Sequence, residues 1–445
     1  MSQPLGSVRV VTGSEPSTFC FVHAADLHLD TPFDGVREVA PEVADTLREA
    51  SLAALDALVD LALGRGAAFL LLAGDIYDGA ARGLRAQLRL RDGLARLAEA
   101  GIASFVVHGN HDPVTEGWSA IGRWPELVTV FGADEPAVVP VVRDGIELAT
   151  VQGISYARRT TTENLATRLR RPTSGGLAIG LLHCNVAEAG SGHGDYSPCT
   201  LEDLRRTGLD YLALGHVHQR TALARPTAPG EPWVVYPGNT QARSPKPSER
   251  GAKGAYVVHV EHGTVRELEF VPLDRVRFAE LACEIGELED LGDLRDRLED
   301  LARTELAHAD GRSLVVRARL HGRGPLHHDL ARPGSLEELI QALRDAETTR
   351  PPFVWWDLVA NESAPELDLE EVRGRGDFSA DLLELAEELA GDPAALALLA
   401  EQLLEAIPRA LATRAREQIG DPALLADALG RARTVALDVL AGELG

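Results

Sequence analysis

Between residues 19 and 270, short apolar runs alternate with longer stretches in which apolar residues recur at helical spacing. The runs Phe19–His23, Ala68–Leu72, Ser104–Val107, Leu177–Leu182, Tyr211–Leu214, Trp233–Tyr236 and Ala255–Val260 predict strands, and Asp45–Leu63, Arg82–Ala100 and Leu201–Thr207 predict helices. That alternation predicts a layered α/β architecture with buried sheets. Beyond about residue 271 the rhythm changes. Phe278–Ile285, Leu314–Leu320 and Phe353–Val359 read as strands, with helices over Leu288–Leu306 and Ser335–Ala346, which predicts a small α+β accessory domain. From about Phe378 the pattern is helical. Gly391-Asp392-Pro393 and Gly420-Asp421-Pro422 each combine a helix stop, an N-cap and a first-turn proline, predicting helices over 379–390, 393–418 and 422–443, the second kinked at Pro408. The expected organisation is a tail over 1–18, an α/β domain over 19–270, the accessory domain over 271–365 and a helical region over 366–445.

Five polar motifs begin where an apolar strand stops, the position at which open α/β sheets hold ligands. They are Asp26-Leu27-His28, Gly74-Asp75-Ile76-Tyr77-Asp78, Gly109-Asn110-His111-Asp112, His183, and Gly215-His216-Val217-His218. Divalent cations take oxygen and imidazole ligands, and a carboxylate, having two oxygens, can bridge a pair of them. Asp75 is the bridging candidate. Side chains two residues apart on extended backbone point the same way, so Asp26 with His28, or His216 with His218, can be supplied from one short loop. No single motif carries much weight; their joint occurrence, in order and each after a strand, does.

Composition changes the picture in two ways. The net charge of −24 argues against a generic DNA-coating protein, although residues 1–270 carry only about −7 and residues 271–445 about −17. Within the first segment lie arginine-rich patches: Arg158-Arg159, Arg168 with Arg170-Arg171, Arg205-Arg206, and Arg243 through Lys253. The four cysteines are widely spaced and read as reduced thiols rather than a disulfide frame or a zinc knuckle. Met1 to Thr18 has neither a basic start nor an apolar core, and no apolar run is long enough to span a bilayer; the expectation is a cytoplasmic protein with no membrane association.

As a set, the motifs resemble those of the calcineurin-like metallophosphoesterase superfamily, and within it the DNA-repair nucleases of the SbcD and YhaO type, bacterial relatives of the nuclease subunit of the eukaryotic MRN complex. The YhaO-like resemblance is carried by His23-Ala24-Ala25-Asp26-Leu27-His28-Leu29-Asp30-Thr31-Pro32-Phe33, by Leu182-His183-Cys184-Asn185-Val186, and by Tyr236-Pro237-Gly238-Asn239 followed by Gln241, Arg243, Glu249 and Lys253-Gly254. It covers about residues 19–260, and the rest only in outline. It implies a layered β-sandwich flanked by helices and two divalent ions per chain, usually manganese. One ion would be held by Asp26, His28, Asp75 and His218, the other by Asp75, Asn110, His183 and His216. His111 would be the general acid and Asp112 the group orienting its ring. The paired cations would polarise the phosphoryl oxygens and activate a bridging water for in-line attack. The resemblance also implies DNA as substrate, a possible homodimer, and an SMC-like coiled-coil ATPase partner; the chain itself has no Walker motif.

Asp30 and Asp78 are candidates for hydrogen-bonding the metal-bound histidines from behind, Asp78 having the alternative of capping the helix near Arg82. His23 and His108 read as packed or hydrogen-bonded rather than ligating, and His193, in a loop with Tyr196, as a loop residue. Asn239, Arg243 and Lys253, with Lys246 and Arg250 beside them, are candidate phosphate contacts. Ala242 stands where the family resemblance leads one to expect glycine. Two other readings compete with a DNA exonuclease: a small-molecule phosphodiesterase or nucleotide phosphatase, which the overall acidity favours, and a catalytically silent partner-binding scaffold, which the filled ligand positions disfavour. Protein phosphatases fit less well, since Gly79-Ala80 and Asp112 stand where GDxxDRG and GNHE would require other residues.

Overall fold

The computed structural model describes residues 18–31, 40–79, 83–116, 118–173, 176–187, 196–366, 369–405 and 422–443. The first six strands in chain order are β1 (Thr18–Ala24), β2 (Phe69–Ala73), β3 (Ala103–Val107), β4 (Val128–Val130), β5 (Ala137–Arg143) and β6 (Ile146–Gly153). They are followed by β7 (Leu177–His183), β8 (Asn185–Val186), β9 (Pro198–Cys199), β10 (Tyr211–Gly215), β11 (Thr221–Ala224), β12 (Trp233–Tyr236), β13 (Gly254–Glu261) and β14 (Thr264–Pro272). Three helices interrupt them: α1 (Pro41–Gly64), α2 (Leu84–Glu99) and α3 (Leu201–Arg206).

Twelve of these strands form two six-stranded sheets, ordered β14-β13-β1-β2-β3-β4 and β11-β12-β10-β7-β6-β5. In the first, β1 to β4 are parallel and β13 returns antiparallel beside β1. In the second, β12, β10, β7 and β6 are parallel, with antiparallel strands at both edges. The period-2 alternation of each strand divides its side chains between two cores. Phe21, Phe69, Leu71, Phe105 and Val107 face inward and meet Val151, Ile179, Leu181, Tyr211 and Val235 of the other sheet. Val22, Ala24, Leu70, Leu72 and Val106 face outward onto Leu52, Leu55 and Leu58 of α1 and Leu90, Leu94 and Leu97 of α2. The outer face of the second sheet buries Leu182, Leu212, Leu214 and Tyr236 with Leu204 of α3. Because both sheets are parallel at their centres, the carboxyl ends of β1, β2 and β3 and those of β7, β10 and β12 deliver loops rather than tight hairpins.

The later elements are β15 (Val276–Glu284), β16 (Ser313–His321) and β17 (Val354–Asn361), forming a three-stranded sheet, with α4 (Leu291–Ala307), α5 (His327–Leu330) and α6 (Ser335–Ala346). Among the described residues four helices follow, α7 (Leu369–Arg375), α8 (Phe378–Gly391), α9 (Pro393–Glu405) and α10 (Pro422–Glu443). The chain resolves into two compact units, residues 1–281, 295–319 and 337–360, and residues 282–294, 320–336 and 361–445. The partition is thus not linear in sequence: Val276, Phe278, Val315, Phe353 and Trp355 share one core with Val43, Leu47 and Ala242. In the second unit Val372, Leu383 and Leu437 pack together, and Asp392 caps α9 by accepting from Ala394 N and Ala395 N, both at 3.0 Å, as its Gly-Asp-Pro signal requires. Pro408, His193 and the residues before Thr18 lie outside the described residues. Among the described residues no helix is long and apolar enough to cross a membrane, and the four cysteines are free thiols.

The two sheets approach closely at Gly215, where a Cβ would lie 1.8 Å from the carbonyl oxygen of Ala73 on the opposite sheet. Gly215→Ala is therefore expected to cost about 1–3 kcal/mol or more by forcing backbone apart. Urea unfolding checks this; an unchanged midpoint would mean the sheets can separate freely at that point.

Candidate metal centre

The loops after β1 and β2 run side by side. Asp26 N donates to Gly74 O (3.0 Å), His28 N to Asp75 O (3.0 Å) and Leu29 N to Ile76 O (2.9 Å). Asp26, His28, Asp75 and His216 all adopt left-handed backbone, with φ of 51°, 42°, 50° and 110°. Non-glycine residues persist in that region only where surrounding structure imposes it, and such residues cluster at functional sites. Here the two zipped loops impose it on three of the four.

Three groups of side chains result, each with ligand atoms within 4.8 Å of one another: Asp26, His28 and His218; Asp26, Asp75 and His183; and His28, Asp78 and His111. Asp75 Oδ2 lies 3.8 Å from His28 Nε2 and 3.4 Å from His183 Nε2, between the first two groups. Its other oxygen accepts from His111 N at 2.9 Å. His183 donates from Nδ1 to Ala73 O at 3.0 Å, which leaves Nε2, 3.0 Å from Asn110 Oδ1, as the ligating nitrogen. His28 Nε2 and His218 Nε2 approach to 3.1 Å. The His216 ring lies edge-on to His183, centroids 5.2 Å apart, while its backbone N–H is bound by both oxygens of Asp26 (3.1 and 3.0 Å). Buried carboxylates, imidazole nitrogens that converge on one another and an amide oxygen make a donor set suited to divalent cations, and the chemistry of these residues fits a pair of them.

The comparisons with known proteins point the same way. Residues 20–220 match the family model described as calcineurin-like phosphoesterase, and residues 278–364 match the middle domain of metallophosphoesterase YhaO. The chain is 37% identical over 349 residues to an uncharacterized metallophosphoesterase, YhaO, of Bacillus subtilis (strain 168), covering 78% of this chain and 83% of that protein. The chain belongs to the YhaO-type calcineurin-like metallophosphoesterases. A further relative is the DNA double-strand break repair protein Mre11 of Thermoplasma acidophilum, 26% identical over 58% of this chain and 66% of its own. Among solved structures, a dimetal phosphatase from Danio rerio is similar, with 14% identity, 55% of this chain and 93% of that chain covered, and a TM-score of 0.33.

Within this metallophosphoesterase centre the surroundings of His111 correct one expectation. Asp112 does not orient its ring. The Asp112 carboxylate accepts from Ile76 N (3.0 Å), Gly109 N (2.9 Å) and His108 Nδ1 (2.8 Å), so it braces the loops from within. The group that holds His111 is Asp78, whose Oδ1 accepts from His111 Nδ1 at 2.7 Å and from Arg243 Nη1 at 3.0 Å, and lies 3.4 Å from His28 Nδ1. Asp78 is not a helix cap: α2 starts later, with Gly83 at its N-cap. Asp30 is exposed, lies against Gly83 and makes no hydrogen bond to an imidazole of the centre, since its left-handed backbone turns it away toward the helices.

Two of the three expected phosphate contacts are also corrected. Asn239 is fully buried, its amide donating to Gln241 O (2.9 Å) and Glu249 Oε2 (2.7 Å). Lys253 is buried and donates to the carbonyls of His218 (2.9 Å) and Ser248 (2.7 Å). Both are spent on holding the chain behind the centre. Arg243 does reach it, lying 3.3 Å from His28 Nδ1. Ala242 is accommodated because its methyl is buried among the side chains of the Val276 and Phe278 cluster. Arg250 pairs with Glu280, and Lys246 is exposed. Glu249, quoted in the resemblance without a role, accepts from His218 Nδ1 at 2.6 Å and so fixes the tautomer that presents Nε2. His23 shares a hydrogen bond with Tyr211 (3.0 Å) and His108 with Asp112, away from the ligands.

The charges follow this geometry. Burial pushes the Asp26 carboxyl up despite nearby His183 and His218. Burial acts on Asp75 too, but His183, His28 and His111 outweigh it and hold that carboxyl well below its ordinary value. Burial, with Arg243, lowers His28 to about 3. For His183 burial is outweighed by Asp75 and Asp26, which lift it to about 9. His111 is raised against burial by its bond to Asp78 and by the charge of Asp75. Glu249 drops to about 2 against burial because of His218, and burial lowers Lys253 to about 8.

Two outcomes follow for the bound-metal enzyme. Glu249→Ala should weaken the ion held at His218 by about 10- to 100-fold while Glu249→Gln weakens it less, read as metal retained after dialysis against graded chelator; equal retention in all three proteins would remove Glu249 from that role. Asp78→Asn removes the charge that raises His111, so His111 loses its proton at lower pH and the alkaline limb of the kcat/KM profile should move to lower pH. A limb that stays put would separate Asp78 from the group that titrates there.

Proposed function

We propose that this metallophosphoesterase hydrolyses phosphodiester bonds in DNA, as a repair exonuclease with two divalent ions, manganese being the ion that best suits the mixed carboxylate and imidazole set. The observation that carries the reading is the position of His111: 31% exposed at the margin of otherwise buried ligands, with its Nδ1 tied to Asp78. Bound cations would supply Lewis acidity and an activated water at neutral pH. His111 then has its other ring nitrogen, Nε2, to protonate the leaving ribose oxygen, and the charges of Asp78 and Asp75 strengthen its hold on a proton against burial. Asp78 holds the imidazole in one tautomer. The Arg243 guanidinium, beside His28 and Asp78, offers a charge-assisted contact to a phosphate oxygen.

DNA as the substrate is supported by the likeness to Mre11 of Thermoplasma acidophilum, a DNA double-strand break repair protein. Pairing with an SMC-like coiled-coil ATPase and homodimerisation belong to the same proposal, with the C-terminal helices as the docking elements. The net charge of −24 favours a second reading, a small-molecule phosphodiesterase or nucleotide phosphatase using the same centre.

The test is manganese-dependent digestion of end-labelled single- and double-stranded DNA beside a small chromogenic phosphodiester. Shortening of the DNA is expected; cleavage of the small diester alone would leave only the second reading. His111→Ala should retain both ions and lower turnover by about 10²- to 10⁴-fold. Loss of an ion together with the ring would make His111 a ligand instead.

A further inference from the structure

Most of the arginine patches are consumed internally. Arg168 binds Asp134 O and Glu163, Arg170 the carbonyls of Thr167 and Leu169, Arg171 Asp210, and Arg206 Glu202. Arg159 differs. Its guanidinium makes no hydrogen bond or ion pair among the described residues, and it is exposed. Yet its backbone is held in place. Val114 N donates to Tyr156 O (3.0 Å), Thr115 N to Ala157 O (3.3 Å) and Arg159 N to Glu116 Oε1 (3.2 Å), so the Arg159 loop is laced to the segment immediately after His111 and Asp112. From there the side chain reaches Gly79. That residue has φ of +92°, and a Cβ on it would lie 3.5 Å from Arg159 Nη2. Gly79 follows Asp78, the residue that holds His111 and Arg243. Arg158, Thr160 and Thr161 of the same loop, with Glu163 and Arg168, line a pocket of 240 Å³.

Two guanidinium groups from separate loops thus flank the Asp78-Gly79 turn, Arg243 on the metal side and Arg159 beyond it. We infer that Arg159 forms a second phosphate subsite, binding the backbone phosphate next to the scissile one in a nucleic-acid strand. The inference rests on the DNA reading and makes it more specific: the site takes a chain of phosphodiesters rather than one. A single-phosphate ester would reach Arg243 and the metals and have nothing to offer Arg159. An unpaired arginine on a positioned loop meets a phosphate through charge-assisted hydrogen bonds, and releases counterions from the strand as it does so.

The experiment compares wild type, Arg159→Ala and Arg159→Lys on two substrates with manganese: the p-nitrophenyl ester of thymidine monophosphate, and an oligothymidylate of about a dozen nucleotides. For Arg159→Ala the ratio of kcat/KM on the oligomer to that on the ester should fall about tenfold, chiefly through KM on the oligomer. The slope of log KM against log salt on the oligomer should become shallower by about 0.7. Arg159→Lys should restore the salt slope and part of the ratio, which a change in folding would not do. Wild-type ratio and slope in Arg159→Ala would overturn the subsite while leaving the DNA reading intact. A wild-type enzyme that turns over the ester and leaves the oligomer whole would overturn both.

Discussion

Asp75 is a carboxylate held ionised at 2% exposure, and the rest of the centre is organised around that charge. An isolated charge at that depth is costly unless it is surrounded by hydrogen bonds and cations. Its two oxygens are occupied differently: Oδ1 by a backbone N–H of the loop after β3, Oδ2 by the space between His28 and His183. One carboxylate thereby ties three loops of one sheet to a histidine of the other. The inner faces of the two sheets must pack closely for this to happen, and the bare Cα of Gly215 against Ala73 O marks how little room is left.

Around the converging carboxylates and imidazoles stands a layer of hydrogen-bonded side chains. Asp112 ties the loops after β2 and β3 together, Asp78 joins His111 to Arg243, and Glu249 joins His218 to Asn239. Lys253 clamps the carbonyl of His218. Glu249 fixes the direction of the His218 ring, while Asp112 fixes the loops and Asp78 the His111 ring, which is how such a centre acquires geometry rather than mere composition. Two residues that looked like substrate contacts, Asn239 and Lys253, belong to this layer. Their chemistry suits phosphate, but their burial gives phosphate no access.

Much of the fold was legible because strongly buried parallel strands read as short apolar runs. All seven strands expected between residues 19 and 260 form, within a residue or two of their expected ends. Strands β4, β5, β6, β8, β9, β11 and β14 were not expected. They are edge or near-edge strands with mixed polarity, such as Thr264–Pro272 with its alternating charged residues, so hydrophobicity alone does not mark them. Two hairpin signals were available: Asp144-Gly145 and His262-Gly263, both residues of each pair in left-handed backbone, join β5 to β6 and β13 to β14. The helical signal Gly391-Asp392-Pro393 coincides with helix ends because proline and capping residues act locally, whereas α1 starts at Pro41, four residues before the expected Asp45.

By itself the sequence determined which strand ends carry ligand-type side chains, Asp26, His28, Asp75, Asn110, His183, His216 and His218, and the family resemblance is what implied a ligand role for them. What it could not decide is which polar residue serves which ligand. Asp112 is adjacent to His111 in the chain and Asp78 is not, yet Asp78 holds the ring. Glu249 is 31 positions from His218 and binds it. Those assignments depend on the direction in which each side chain leaves its loop, and left-handed turns at Asp26, His28 and Asp75 redirect them in ways that neither spacing nor propensity encodes. Only the tertiary structure, which lays the loops after β1 and β2 side by side, supplies the hydrogen bonds that hold such turns in place.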